Sequence, residues 1–233
     1  MKLVKITKKT IADRIRSSAR TYDDACGAAH ALDLIGERWA LLVMRELMFG
    51  PKRFSDLRAD LPGISANVLT QRLERLEEIG ALIRRKLPPP AASHVYELTP
   101  WGYEIEPALS VLGRWAARSP LHDPTLPLSA ASLMLSFKTM FDASRAKGLN
   151  ARIGFRIGDE TFLVHIHGGA CEAARQSLDG ADVVFAGPAR AIAAAVYGGA
   201  PLEALEAEKA LWVEGDRALA ERFTKLFPLP QKA

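Results

Sequence analysis

The stretch from Arg53 to Gly102, RFSDLRADLPGISANVLTQRLERLEEIGALIRRKLPPPAASHVYELTPWG, restricts the fold more than any other part of the chain. Pro62-Gly63 interrupts it after one short helical segment, because proline cannot continue a helix and glycine takes turn conformations. Beyond the break Ser65 is suited to cap a new helix. Val68, Leu69, Leu73, Leu76 and Ile79 then recur at helical spacing up to Gly80, with Asn67, Thr70, Gln71, Glu74, Arg75 and Glu78 on the opposite side. Leu82-Ile83 and Val95 to Leu98 flank Arg84-Arg85-Lys86 and Pro88-Pro89-Pro90, which is the form of a hairpin with a stiff tip. The order helix, tight turn, helix and two strands predicts a winged helix-turn-helix.

Upstream, Ala28, Ala31, Leu32 and Ile35 fall at helical spacing before Gly36. A second helix is expected from about Glu37 to Phe49, burying Trp39, Leu42, Val43 and Leu47, with Gly50-Pro51 closing it. Ser55 is the expected cap of the short helix that follows. Thr99-Pro100 opens a further helix whose apolar side is Ile105, Leu109, Leu112 and Trp115. The basic first twenty residues read as an arm or a loosely held helix.

Pro120, Pro124 and Pro127 mark a linker. After it the pattern mixes helices with strands: an amphipathic segment with Leu133, Phe137, Met140 and Phe141, a hairpin turning at Gly158-Asp159, a strand in ADVVFAG, helices in ARAIAAAVYGG and LEALEAEKA, a strand in LWVEG and a last helix in DRALAERFTKLF. The expected class is α+β, with one domain over 1–120 and a second over 128–233.

Charge is divided along this boundary. Residues 1–121 hold 19 Lys+Arg against 14 Asp+Glu, and residues 122–233 hold 12 against 13. The basic surplus accompanies the helix-turn-helix, as a phosphate-binding half requires. No apolar run reaches the ~18 to 20 residues of a membrane span, and the basic N-terminus lacks a secretory pattern, so a cytoplasmic protein is expected. Cys26 and Cys171 are too few for a disulfide scaffold. Asp23 and Asp24 precede Cys26 and oppose a thiolate there, so a small buried core residue is expected. His165 and His167 share one side of their strand, but two imidazoles alone do not make a metal site. With no nucleophile elbow, phosphate loop or dinucleotide fingerprint, neither enzymatic activity nor a cofactor is expected.

In a helix-turn-helix the N-terminal part of the second helix reaches base edges in the major groove. Here that part carries Ser65, Asn67, Thr70 and Gln71, while Glu74, Glu77 and Glu78 lie farther along, away from the phosphates. Arg72 and Arg75 flank the reading face, and Arg84 and Arg85 stand near the wing; all four suit phosphate oxygens.

Cys26, Ala31-Leu32-Asp33-Leu34-Ile35-Gly36, Arg38-Trp39, Leu47, Gly50, Arg53-Phe54, Asp56-Leu57, Pro62-Gly63-Ile64-Ser65, Leu69, Arg72-Leu73, Leu76, Gly80, Tyr96-Glu97-Leu98-Thr99 and Gly102 together closely resemble the HxlR-type regulators, relatives of the MarR group. The resemblance covers about residues 20–118. It implies a homodimer on double-stranded DNA carrying a pseudo-palindromic operator, with terminal helices at the interface and the 101–117 helix, bearing Trp101 and Trp115, as its seam. It also implies that some members sense oxidants at the position of Cys26.

Residues 130–227 resemble a sterol-carrier-protein-like domain through ADVVFAG, AVYGGAPL and LWVEGDRALAERFTKLFPLP. That fold implies an apolar tunnel, which Phe137, Met140, Phe141, Phe155, Phe185, Tyr197, Trp212 and Phe223 would line for a small hydrophobic ligand. Aromatic and Met residues at such spacings equally suit a filled core. The leading expectation is a transcriptional regulator modulated by such a ligand. The alternative is a lipid or small-molecule carrier whose winged helix mediates protein interaction.

Overall fold

The computed structural model describes residues 21–88 and 93–233. The basic arm and Pro89-Pro90 of the expected hairpin tip lie outside the described residues. Backbone contacts divide the chain into two units, one of residues 1–47 and 51–104, the other of residues 48–50 and 105–233.

The first unit runs α1 (Gly27–Ile35), α2 (Ala40–Glu46), α3 (Phe54–Asp60), α4 (Ala66–Glu78), β1 (Leu82–Lys86), β2 (His94–Leu98) and α5 (Pro100–Tyr103). Its core is made of leucines: Leu47, Leu57, Leu61, Leu69, Leu73, Leu76, Leu82 and Leu98 are all buried, with Val43 and Met44 beside them. The apolar stripe of α4 therefore faces inward as its spacing predicts. Ser65 caps this helix, its Oγ accepting from the Val68 N–H at 3.3 Å. The turn before it depends on Gly63, at φ +91°, where a side chain would be strained.

Three local expectations are corrected. α3 starts from Arg53 rather than Ser55: the Asp56 carboxylate accepts from the Arg53 N–H at 3.1 Å, while the Ser55 hydroxyl donates to Asp56. α2 begins only at Ala40, because Trp39 holds φ +82° and cannot be part of the helix. The shift turns Leu42 outward and buries Met44 and Glu46 instead. The helix expected from Thr99 is broken in two: α5 ends at Tyr103, and a new helix starts at Glu106. β1 and β2 pair antiparallel from Leu82↔Leu98 to Lys86↔His94, forming the wing. Lys52, just before α3, adds a bridge to Tyr96 on β2.

The second unit contains α6 (Glu106–Ala117), α7 (Ala130–Met140), β3 (Ala151–Ile157), β4 (Glu160–His167), β5 (Ala170–Arg175), β6 (Val183–Ala186), α8 (Ala189–Val196), α9 (Leu202–Ala207), β7 (Trp212–Gly215) and α10 (Arg217–Phe223). The sheet order is β5-β4-β3-β6-β7, antiparallel except for β3 against β6. Strand alternation sends Phe162, Val164 and Ile166 of β4 into the core and His165 and His167 to the opposite face. β5, sequence ACEAAR, carries few residues with strand preference and was not expected as a strand; pairing with β4 imposes its conformation.

Phe137 on α7 is central: its ring centroid lies 4.8 Å from Phe227 and 5.3 Å from both Phe155 and Phe223. Its replacement by alanine should cost about 3–5 kcal/mol, the range for a buried phenylalanine. Trp212→Ala, at a residue 51% exposed, should cost less than about 1 kcal/mol. Urea unfolding followed by circular dichroism measures both.

Candidate nucleic-acid interface

Burial of Leu69, Leu73 and Leu76 decides which residues α4 turns outward. Asn67, Thr70 and Gln71 are exposed in its first half; Glu74, Glu77 and Glu78 are exposed in its second. The helix presents short neutral hydrogen-bonding groups at one end and negative charge at the other. Ser65 is exposed, but its oxygen serves the helix cap.

The arginines differ among themselves. Arg72 and Arg75 each have side chains only 16% exposed. Arg72 is ion-paired with Glu37, and burial lowers its pKa. Arg75 donates from Nη2 to the Asp33 carbonyl at 3.5 Å, and its Nη1 is 3.6 Å from Glu78. Both therefore tie α4 to the end of α1 and the residues after it, and to reach a phosphate either would have to release its partner. On the wing, Arg84 lies 6.0 Å over the Tyr96 ring while its N–H donates to Glu77 at 3.4 Å. Arg85 pairs with Glu97. Arg53, Arg58 and Lys86 are also exposed cations on this unit. Arg53 at the N-cap and Arg58 in the last turn give the short helix before the turn two exposed cations, a signal present in its sequence RFSDLRAD.

Cys26 is not the small core residue expected. It is exposed and occupies the N-cap of α1. The N–H groups of Ala28 and Ala29 hold its thiol below the ordinary cysteine value. Asp24, expected to oppose the thiolate, instead accepts from the Cys26 N–H at 2.9 Å. Cys171 is the reverse case: burial pushes its thiol up to about 12.

Of the eight residues expected to line a tunnel, Phe137, Phe155, Phe185 and Phe223 are fully buried and in mutual ring contact. Met140 is buried with them, and Phe141 packs at their margin, 6.1 Å from Phe227. Tyr197 closes the group, its hydroxyl 2.7 Å from Ser136 Oγ; burial raises its pKa. These side chains come together in one core from α7, α10 and the sheet. Trp212 stands apart, half exposed on the edge strand β7. A hollow of about 440 Å³ lies elsewhere on the unit, lined by Leu149, Asn150, Asp182, Asp216, Leu219 and Arg222.

The rings of His165 and His167 lie 4.2 Å apart, yet no group of three His, Cys, Asp or Glu among the described residues is arranged to hold a metal ion. Nor is any helix among them long and apolar enough to cross a membrane.

The two thiols should titrate far apart. Donor N–H groups stabilise the charged form, so Cys26 should reach half-maximal alkylation by iodoacetamide at a lower pH than an ordinary cysteine. Cys171 should stay unreactive through neutral pH in the folded protein. Mass-spectrometric rates across a pH series test this; equal rates at the two sites would contradict the assignment.

Two family models match the chain. A family model described as HxlR-like helix-turn-helix matches residues 34–122, and one described as the SCP-2 sterol transfer family matches residues 135–228. The HTH-type transcriptional regulator YvaP of Bacillus subtilis is 36% identical over 86 residues, which are 37% of this chain and 80% of YvaP. The HTH-type transcriptional regulator Mb3122 of Mycobacterium bovis is 41% identical over 85 residues, 36% of this chain and 53% of that one. The solved structure of the reduced form of the transcriptional regulator YodB from B. subtilis is 31% identical, with a TM-score of 0.39, covering 43% of this chain and all of YodB. Through its winged helix the chain belongs to the HxlR-like helix-turn-helix family of transcriptional regulators, and it carries an SCP-2 domain after it.

Proposed function

We propose that this protein is a cytoplasmic transcriptional regulator that binds a pseudo-palindromic operator in double-stranded DNA as a homodimer. The observation that carries the reading is the outward face of α4, neutral and hydrogen-bonding at its N-terminal end and acidic only beyond it. Asn67, Thr70 and Gln71 read bases, with Ser65 fixing the start of the helix. Arg84 and Arg85 hold phosphates from the wing. Arg72 and Arg75 set the register of α4 through their contacts with the α1 segment, and reach phosphate only by exchanging those partners.

The dimer seam is α6. None of its residues is buried, and Val111 and Trp115 are 69% and 72% exposed, with Leu112 beside them. The sequence predicts Leu112 and Trp115 on the buried side of this helix; among the described residues nothing covers them. An apolar face of this kind requires a partner to leave water. The effector is a small hydrophobic ligand of the second unit. Since the aromatic side chains are in contact, such a ligand binds by opening that core, and so selects a second state of the unit. A second reading, favoured by the exposed and easily ionised thiol, makes oxidation of Cys26 the signal.

DNA from upstream of the protein's own gene, compared with a scrambled fragment over a range of salt, tests the main reading. A preference of ~10³-fold or more is expected. Gln71→Ala should flatten the differences between operator variants, by about 1–3 kcal/mol at the base pair it reads. Unchanged relative affinities would mean that α4 does not dock in the proposed orientation. Trp115→Asp should convert the dimer to monomer in sedimentation and weaken operator binding with it.

A further inference from the structure

Four charged side chains meet in the winged helix. Lys52 is 4% exposed and Glu46 not at all. The Lys52 Nζ lies 2.6 Å from Asp60 Oδ2 and 3.7 Å from Glu46 Oε2. Arg45 completes the cluster by donating to Glu46 Oε1 through Nε at 2.9 Å and Nη2 at 2.6 Å. Glu46 ends α2 and Asp60 ends α3, so one ammonium joins the ends of two helices.

The backbone of the same residue makes a third connection. Lys52 N–H donates to the Tyr96 carbonyl at 3.1 Å, and Tyr96 N–H donates to the Lys52 carbonyl at 2.9 Å. Tyr96 is the β2 residue directly opposite Arg84, and its ring lies under the Arg84 guanidinium. Together with the Arg84 N–H donated to Glu77 on α4, this bridge holds the middle of the wing to the helical body. A single bridge of two hydrogen bonds is a weak tether by itself. Burying an ammonium is costly, and such clusters are poor sources of stability compared with apolar packing. Their worth is in fixing position.

We propose that Lys52 is a positioning residue for the wing: its ion pairs with Glu46 and Asp60 lock the bridge to Tyr96, and thereby set where Arg84 and Arg85 stand relative to α4. The proposal rests on the DNA-binding reading only for its functional consequence. The tether itself is a property of the free protein.

The test uses the full chain. Lys52→Met alone leaves Glu46 buried without its lysine, so it is paired with Lys52→Met/Glu46→Gln, which removes both charges and should stay folded by circular dichroism. In the double variant, amide hydrogen exchange along residues 82–86 and 94–98 should quicken at least about tenfold, while the buried amides of Leu69 and Leu73 keep their protection. Operator affinity should fall about tenfold, and the logarithmic salt slope should become shallower by about one to two as wing phosphate contacts are lost. Lys52→Arg should restore both. The loss should shrink in a background already carrying Arg84→Ala and Arg85→Ala, since the two changes act on one set of contacts.

Unchanged exchange in the wing of the folded double variant overturns the proposal. So does a loss of affinity fully additive with the wing arginines, which marks general destabilisation. If the unmodified protein shows no operator preference, the DNA-binding reading fails by itself, and the exchange experiment still decides whether Lys52 tethers the wing.

Discussion

Leu69, Leu73 and Leu76 lie along one side of a 13-residue helix and are withdrawn from water together. Each contributes about 1.5–3 kcal/mol by its burial, enough that no rotation of α4 about its axis competes with the observed one. The orientation of every outward residue follows from these three. So does the path of the wing, because Leu82 and Leu98 complete the same core and start the hairpin at a fixed place. Gly102 shows how closely this is packed: a Cβ there would sit 2.0 Å from the Ala81 carbonyl oxygen, so only glycine lets α5 approach the start of β1.

The helix-turn-helix and wing were legible because their signals are local. A turn at Pro62-Gly63, a cap at Ser65 and a 3.6-residue stripe are read without knowing what lies across the core. Features that depend on distant partners were not. Lys52, beside Arg53, carries no local sign of burial, and only the convergence of Glu46, Asp60 and Tyr96 makes it an interior residue. Arg72 and Arg75 read as free cations until Glu37 and the Asp33 carbonyl are brought to them. The apolar side of α6 shows the opposite ambiguity: a stripe of Leu and Trp has the same spacing whether it faces its own chain or another.

The second unit adds a lesson about aromatic residues. Apart from Trp212 they belong to one hydrophobic core, and composition does not distinguish a lined cavity from a filled one. Ring centroids 4.8–5.7 Å apart are at ordinary aromatic contact distance, and Phe155 stacks on Phe185 with their planes only 10° apart. Any guest in this core competes with contacts already made, so affinity for it is reduced by the work of separating the rings.

Trp39 has a further consequence. With φ at +82° it turns the backbone just before α2, after Gly36 has closed α1, and two short helices follow one another here. The two helices are joined by a strained turn, and Arg72 and Arg75 link α4 to it through Glu37 and the Asp33 carbonyl. The strain held at such a residue is of order 1–3 kcal/mol. A glycine at position 39 would hold the same turn without that strain.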